Sequence, residues 1–161
     1  MGVSPEVIDL FLSNRMYSPV QQTKLVNALT EMQGVADRGR FVKFAVLTHD
    51  EEVAFFRARQ AEMYARFNRR VSKVEQFVLL EELAAARLAD GTLVFCAPLY
   101  YLAWIQTMAN YALAANQKLT AVPGVKVKQL WVAGRVSSLA RAALEQHGWK
   151  IQDRQEGRLI D

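Results

Sequence analysis

Residues Ala133 to Ser138, Ala-Gly-Arg-Val-Ser-Ser, hold the most defined chemistry in this chain. They follow an apolar run that reads as a strand and precede a run that reads as a helix. The free amides and partial positive charge of a helix N-terminus would then lie beside Gly134, the Arg135 guanidinium and the hydroxyls of Ser137 and Ser138. Such a set could hold a phosphate or a carboxylate, and a loop beyond the C-terminal end of a parallel strand is where α/β proteins gather ligands. A single glycine, however, makes neither a P-loop nor a dinucleotide fingerprint. Serine also caps helices with no ligand present.

Other reactive groups are few. Cys96 is the sole cysteine, which excludes an intramolecular disulfide and any cysteine-based metal cluster. A nucleophilic thiol needs a base, and the histidines, His49 and His147, are not placed beside it by sequence. A buried, inert thiol is the expectation. The acidic runs Asp50-Glu51-Glu52 and Glu81-Glu82 could serve metal or acid–base chemistry only by converging with other groups. Helix capping already accounts for the first run. No metal site and no cofactor is expected. Arg59, Arg66, Arg69 and Arg70, with Arg57 and Lys73 nearby, could form a ridge that contacts phosphates. Glu62 dilutes it and no nucleic-acid-binding module is recognisable, which argues against nucleic acid as the partner.

Residues 91–117 carry no charged side chain, in a protein of formal net charge +4. The run is long enough for a membrane span, which needs about 20 apolar residues. Its content is not: Pro98 splits it, and Gln106, Thr107 and Asn110 put polar side chains in the middle. It therefore reads as a strand, 92–97, followed by a central, buried helix over 99–116 with one thin polar line. Gln106 and Asn110 on that line, together with Tyr101, are candidates for a pocket, with backbone groups as the competing partners for the amides.

The elements that must position these groups follow from punctuation and period. Ser4-Pro5 opens a short helix, and Ser18-Pro19-Val20-Gln21 is a capping box that opens a longer one, stopped near Gly34. Phe41–Leu47 suggests another helix. Thr48-His49-Asp50-Glu51 reads as a second capping box, starting the longest helix, to about Arg70. Its expected buried stripe is Val53, Phe56, Met63 or Tyr64, and Phe67, with Glu62 and Arg66 paired on the outer face. Residues 74–88 are ambiguous, since Ala, Leu and Glu favour helix. Asp90-Gly91 points instead to a hairpin of 83–88 with 92–97. Residues 125–132 form a strand, Ser137 or Ser138 caps a helix that ends at Gly148, and a last strand starts after Trp149. This is a β-α-β unit with a parallel crossover.

A chain of 161 residues suits one domain. The expected class is α+β: N-terminal helices (4–72), then a mixed part (73–161) with a small mixed sheet. Charge is uneven: residues 1–90 hold 12 basic and 12 acidic side chains, residues 91–161 hold 8 and 4. That balance fits a solvated surface, and the start of the chain does not read as a secretory signal, so a cytoplasmic location is expected. By elimination the leading functional expectation is a non-catalytic binding or protein-interaction domain, with a protein partner or a second copy. An enzyme or sensor for a small anion at residues 134–138 is the alternative, and nucleic-acid binding through the arginines is third.

Overall fold

The computed structural model describes all 161 residues. Four helices come first: α1 (Pro5–Ser13), α2 (Pro19–Glu31), α3 (Arg38–Val46) and α4 (Glu51–Arg70). Then follow β1 (Gln76–Leu80), β2 (Leu83–Arg87), β3 (Thr92–Ala97), β4 (Tyr101–Leu102), α5 (Gln106–Thr120), β5 (Val127–Val132), β6 (Arg135–Val136), α6 (Ser138–Gln146) and β7 (Trp149–Gln152). The main sheet has the order β1-β2-β3-β5-β7, antiparallel from β1 to β3 and parallel from β3 to β7. The α+β class and the C-terminal β-α-β unit are as the sequence indicates. No helix is long and apolar enough to cross a membrane.

The sheet lies between two helical layers, and strand alternation assigns the sides. Ala84, Ala86, Val94, Cys96 and Trp131 face the larger core, shared with α1–α4. Leu83, Ala85, Leu93, Ala97, Leu130 and Val132 face a smaller core beneath α5 and α6. Lys128 ties the second layer together. Its ammonium donates to Asn116 and, at 2.9 Å, to the His147 carbonyl, placing a cation where both helices end.

Several local expectations are met. Ser18 and Gln21 form the reciprocal capping box, Ser4 and Ser137 cap their helices, and the 83–87 and 92–97 strands pair. At Asp90-Gly91 the turn is one residue longer than a two-residue hairpin turn. The Gly91 amide donates to the Leu88 carbonyl and Gly91 sits at φ 88°, a turn closed by a left-handed glycine.

Other expectations are corrected. The long helix is capped by Asp50, which accepts from the Glu52 and Val53 amides. Thr48 is buried and bonds to Tyr17 and Arg57 instead. Of the expected stripe on α4, Met63, Tyr64 and Phe67 are buried and Phe56 half-buried, but Val53 is exposed, and Ala54, Ala58, Ala61 and Ala65 widen the buried face. Small side chains let α4 approach the sheet, so its larger apolar residues need not all lie inward. Glu62 pairs with Lys24 rather than Arg66. Residues 76–80 form a strand despite helix-favouring composition, because β1 gains a full ladder with β2. The helix expected over 99–116 starts at Gln106, and only Leu119 of it is buried. It covers one face of the sheet and leaves its other side to solvent, so it is not a central buried helix.

One contact organises the layers. Strands β2 and β3 pair at Ala86↔Val94 and Arg87↔Leu93 and are not paired beyond. In the gap, the Cys96 amide donates to the Tyr64 hydroxyl (3.1 Å), which donates to the Ala84 carbonyl (2.7 Å). Gln60 donates to the Cys96 carbonyl at 2.9 Å. Buried side chains of α4 thus replace missing rungs of the ladder. Tyr64→Phe leaves the Cys96 amide buried without a partner and the Ala84 carbonyl with only a long bond from Gln60 (3.4 Å), so stability is expected to fall by about 1–3 kcal/mol. Thermal unfolding is the measurement, at roughly 2–4 °C in Tm per kcal/mol for a chain of this size; an unchanged Tm contradicts the bridging role.

Candidate functional site

Past the C-terminal ends of β3 and β5 the chain forms a second, two-stranded parallel sheet, β4 with β6, which pairs Tyr101 with Arg135 and Leu102 with Val136. This small sheet brings together two groups that the sequence singled out separately. Its geometry depends on Gly134, whose Cβ, if present, would lie 1.8 Å from the Tyr100 carbonyl oxygen. The requirement at this position is close backbone approach.

That packing decides the state of the 134–138 loop. The amides of Gly134, Arg135 and Ser137 donate to the carbonyls of Leu99 (2.7 Å), Tyr100 (3.0 Å) and Leu102 (3.0 Å). The Ser137 hydroxyl accepts from the Ala140 amide. The backbone donors that an anion would use at these three positions are therefore engaged. Arg135 and Ser138 are exposed. Gln106 donates to Asn110 at 2.8 Å on the exposed face of α5, so these two amides satisfy one another in solvent.

Apolar side chains surround the small sheet. Tyr100, Tyr101, Ile105 and Leu139 are 70%, 58%, 61% and 65% exposed. Ile105 immediately precedes α5 and Leu139 lies in the first turn of α6, each three residues beyond the paired Leu102 and Val136. Tyr111 and Leu113 on α5 are also exposed.

The arginines of α4 are engaged rather than free. Arg66 forms a bidentate pair with the Asp161 carboxylate (2.9 and 2.6 Å). Arg59 donates to the main-chain oxygen of Asp161 (2.7 Å), Arg70 to that of Arg158 (2.5 Å), and Arg69 pairs with Glu31 (3.0 Å). Cys96 is fully buried, and burial pushes its thiol well above the ordinary range. No cluster of His, Cys, Asp or Glu could hold a metal ion.

Sequence reasoning set Arg57 beside the arginine ridge and missed its burial. Only 7% exposed, it stacks over the Phe44 ring, donates to the Phe44 carbonyl at the end of α3 and to Thr48, and leaves Nε without a partner. No carboxylate pairs with it; burial lowers its basicity, countered by Tyr17 and more weakly by Glu82 and Tyr111. The alanine spacing of α4 was the available signal, since Arg57 adjoins Ala54 and Ala58 on the same face. A surface hollow of about 830 Å³ lies nearby, where Tyr17 and Ser18 meet Glu51, Glu52 and Phe55 of α4. Its lining mixes Arg15 with Glu51 and Glu52 of the acidic run and includes none of the residues of the anion, pocket or arginine-ridge candidates.

Two outcomes are expected. Gly134→Ala should force the 99–102 segment away and cost about 3 kcal/mol, whereas Arg135→Ala should stay within about 0.5 kcal/mol; denaturant titration compares them. The second concerns Asp161, whose carboxyl Arg66 holds below its usual range by hydrogen bonding and then by charge. A lowered carboxylate contributes stability that is present above the ordinary value, about 3.9, and lost as pH falls through the lowered one. Hydrogen exchange at residues 155–161 should therefore speed up below that value in the wild type and lose this pH dependence in Asp161→Asn. No protein-family model, curated protein or solved structure matches the chain, so its function is to be inferred from its own geometry.

Proposed function

We propose that this chain is a non-catalytic protein-interaction domain whose contact surface is the edge formed by β4, β6 and the first residues of α5 and α6. The observation that carries this is the exposure of Tyr100, Tyr101, Ile105 and Leu139 around one small sheet. Tyrosine and large aliphatic side chains at the rim of a rigid scaffold are what interfaces use as anchors. Monomeric proteins seldom leave such groups together in water. Support also comes from what surrounds them: the polar groups of the 134–137 loop are occupied by backbone, so the edge offers shape and apolar area more than reactive groups.

The edge is built to stay rigid while it is exposed. The β4–β6 ladder and the close approach of Gly134 to Tyr100 fix both strands to the body of the protein. A contact surface that is already ordered loses less entropy on binding. The simplest partner is a second copy, for which sedimentation at rising concentration should show reversible association. Tyr101→Ser with Ile105→Ser should weaken that association about tenfold or more, with each anchor supplying about 1 kcal/mol. Both side chains are exposed, so Tm should hold. A chain that stays monomeric at all concentrations and binds no more of an apolar-surface dye than this double variant overturns the proposal.

A further inference from the structure

Strands β2 and β3 part after Ala86↔Val94, and a ridge of α4 faces the widening split. Tyr64, Gln60 and Arg57 make up that ridge, since they follow one another at helical spacing. Tyr64 spans the narrow end, where one hydroxyl joins an amide of β3 to a carbonyl of β2. At Gln60 the span is uneven: the bond to Cys96 is 2.9 Å and the bond to Ala84 is long, at 3.4 Å. One turn further, Arg57 bonds to neither strand. The Ala86↔Val94 register, carried on, sets Glu82 of the β1–β2 turn opposite Pro98, which has no amide to offer. The wide end of the split is left without a rung.

Arg57 is held there with one edge of its guanidinium unused. The Phe44 ring lies against it at 4.0 Å, and Nη1 donates to the Phe44 carbonyl at 3.0 Å and to the Thr48 hydroxyl. Nε is sealed from solvent with no partner, whereas Nη2, also without a partner, reaches solvent. Nε and Nη2 together form a two-donor edge, which a carboxylate meets with both of its oxygens. A buried donor in this state costs stability until something completes it. Two groups act on the Arg57 charge without bonding to it. One is Glu82, exposed on the turn; the other is Tyr111 of α5, which also acts on Tyr64 and so stands across the split from α4. No hydrogen bond within the chain engages the Tyr111 hydroxyl, and the residue is 45% exposed.

We infer that the wide end of the split binds a small organic monocarboxylate, with Arg57 Nε and Nη2 as the fork that holds its two oxygens, the Tyr111 hydroxyl as a further donor and the Tyr111 ring as a surface for the organic part. The charge there suits a monoanion: one guanidinium edge is open, and Glu82 repels a second negative charge. A phosphate dianion is disfavoured on the same ground. Binding gives the orphaned Nε a partner shaped to its fork, which chloride cannot match. The site uses none of the four anchors of the β4–β6 edge, so it stands or falls apart from the proposed interaction surface.

The test is an NMR titration of the whole isotope-labelled chain with sodium benzoate and sodium acetate, against sodium chloride and inorganic phosphate at matched ionic strength. The Arg57 Nε–H signal, protected by burial, is the readout in the wild type. Both carboxylates should shift it saturably, and neither control should. In variants, affinity is read from the amide signals of residues 82 and 111. Arg57→Lys keeps the charge and loses the fork, so benzoate should bind about tenfold more weakly. Glu82→Gln removes a repelling charge at an exposed turn and should tighten benzoate about two- to threefold. Tyr111→Phe removes a donor and should weaken it by about the same factor. These last two changes spare the core, so the test does not depend on Arg57→Lys folding. Absence of a saturable shift overturns the inference, as does phosphate or chloride binding as well as benzoate. Benzoate affinity that ignores both Glu82→Gln and Tyr111→Phe overturns it too. Tyr101→Ser with Ile105→Ser should leave benzoate binding unchanged, which separates this site from self-association.

Discussion

The insertion of Tyr64 and Gln60 between β2 and β3 is the interaction on which the architecture turns. A sheet made of an antiparallel half and a parallel half must change character somewhere, and here β3 belongs to both. Where β2 leaves β3, backbone groups would be stranded in the core, a cost that folded proteins avoid. The hydroxyl of Tyr64 both accepts and donates, which lets one side chain join an amide of β3 to a carbonyl of β2. Helix α4 is consequently fixed in rotation against the sheet. Everything else on α4 follows from that rotation: the alanines against the core, Arg57 beneath Phe44, and Arg59, Arg66 and Arg70 along the outer side.

Much of the fold was legible because local signals agreed with tertiary structure. Caps with proline at the first turn, glycine after Leu88-Ala89-Asp90, the apolar run 92–97 ending before Pro98, and the strand pattern of 125–132 each state a local conformation that the packing then accepts. What was not legible depends on contacts distant in sequence. Strand β1 is drawn from helix-favouring residues because its partner β2 supplies a ladder. Thr48 looks like a cap, but Tyr17 and Arg57 claim its hydroxyl and the cap passes to Asp50. The buried face of α4 was legible at Met63, Tyr64 and Phe67, while its start was misplaced at Val53 by weighing a large apolar side chain over alanine, though alanine at 54, 58, 61 and 65 has the helical period.

The residues that looked chemical share a pattern. In each case a polar group suited to a ligand has found a partner within the chain: the 134–137 amides in β4, Gln106 in Asn110, and the arginines in Asp161, Arg158 and Glu31. The sequence placed Gly134 and Arg135 between a strand and a helix, and could not show that Arg135 would pair in β6 or that Tyr100 would press against that glycine. The uncharged stretch was similarly half-readable. Its division at Pro98 is real, while the burial of its helix was overestimated because apolar residues can face solvent as well as core.

The parallel pairing of β3 with β5 also sets an order of events. Thr92 meets Val127, a separation of 35 residues (127 − 92), while the β1–β2 turn closes over two. Local pairs close first and distant ones wait for more chain entropy to be surrendered. During synthesis from the N-terminus, α4 and the antiparallel strands are available well before β5 and β7. The larger core is lined early by α1–α4 but is not complete until Trp131, Leu159 and Ile160 have been made. For that interval a newly made chain carries an open apolar surface on the sheet side of α4, and the short segment that holds Leu159 and Ile160 is the one that covers it.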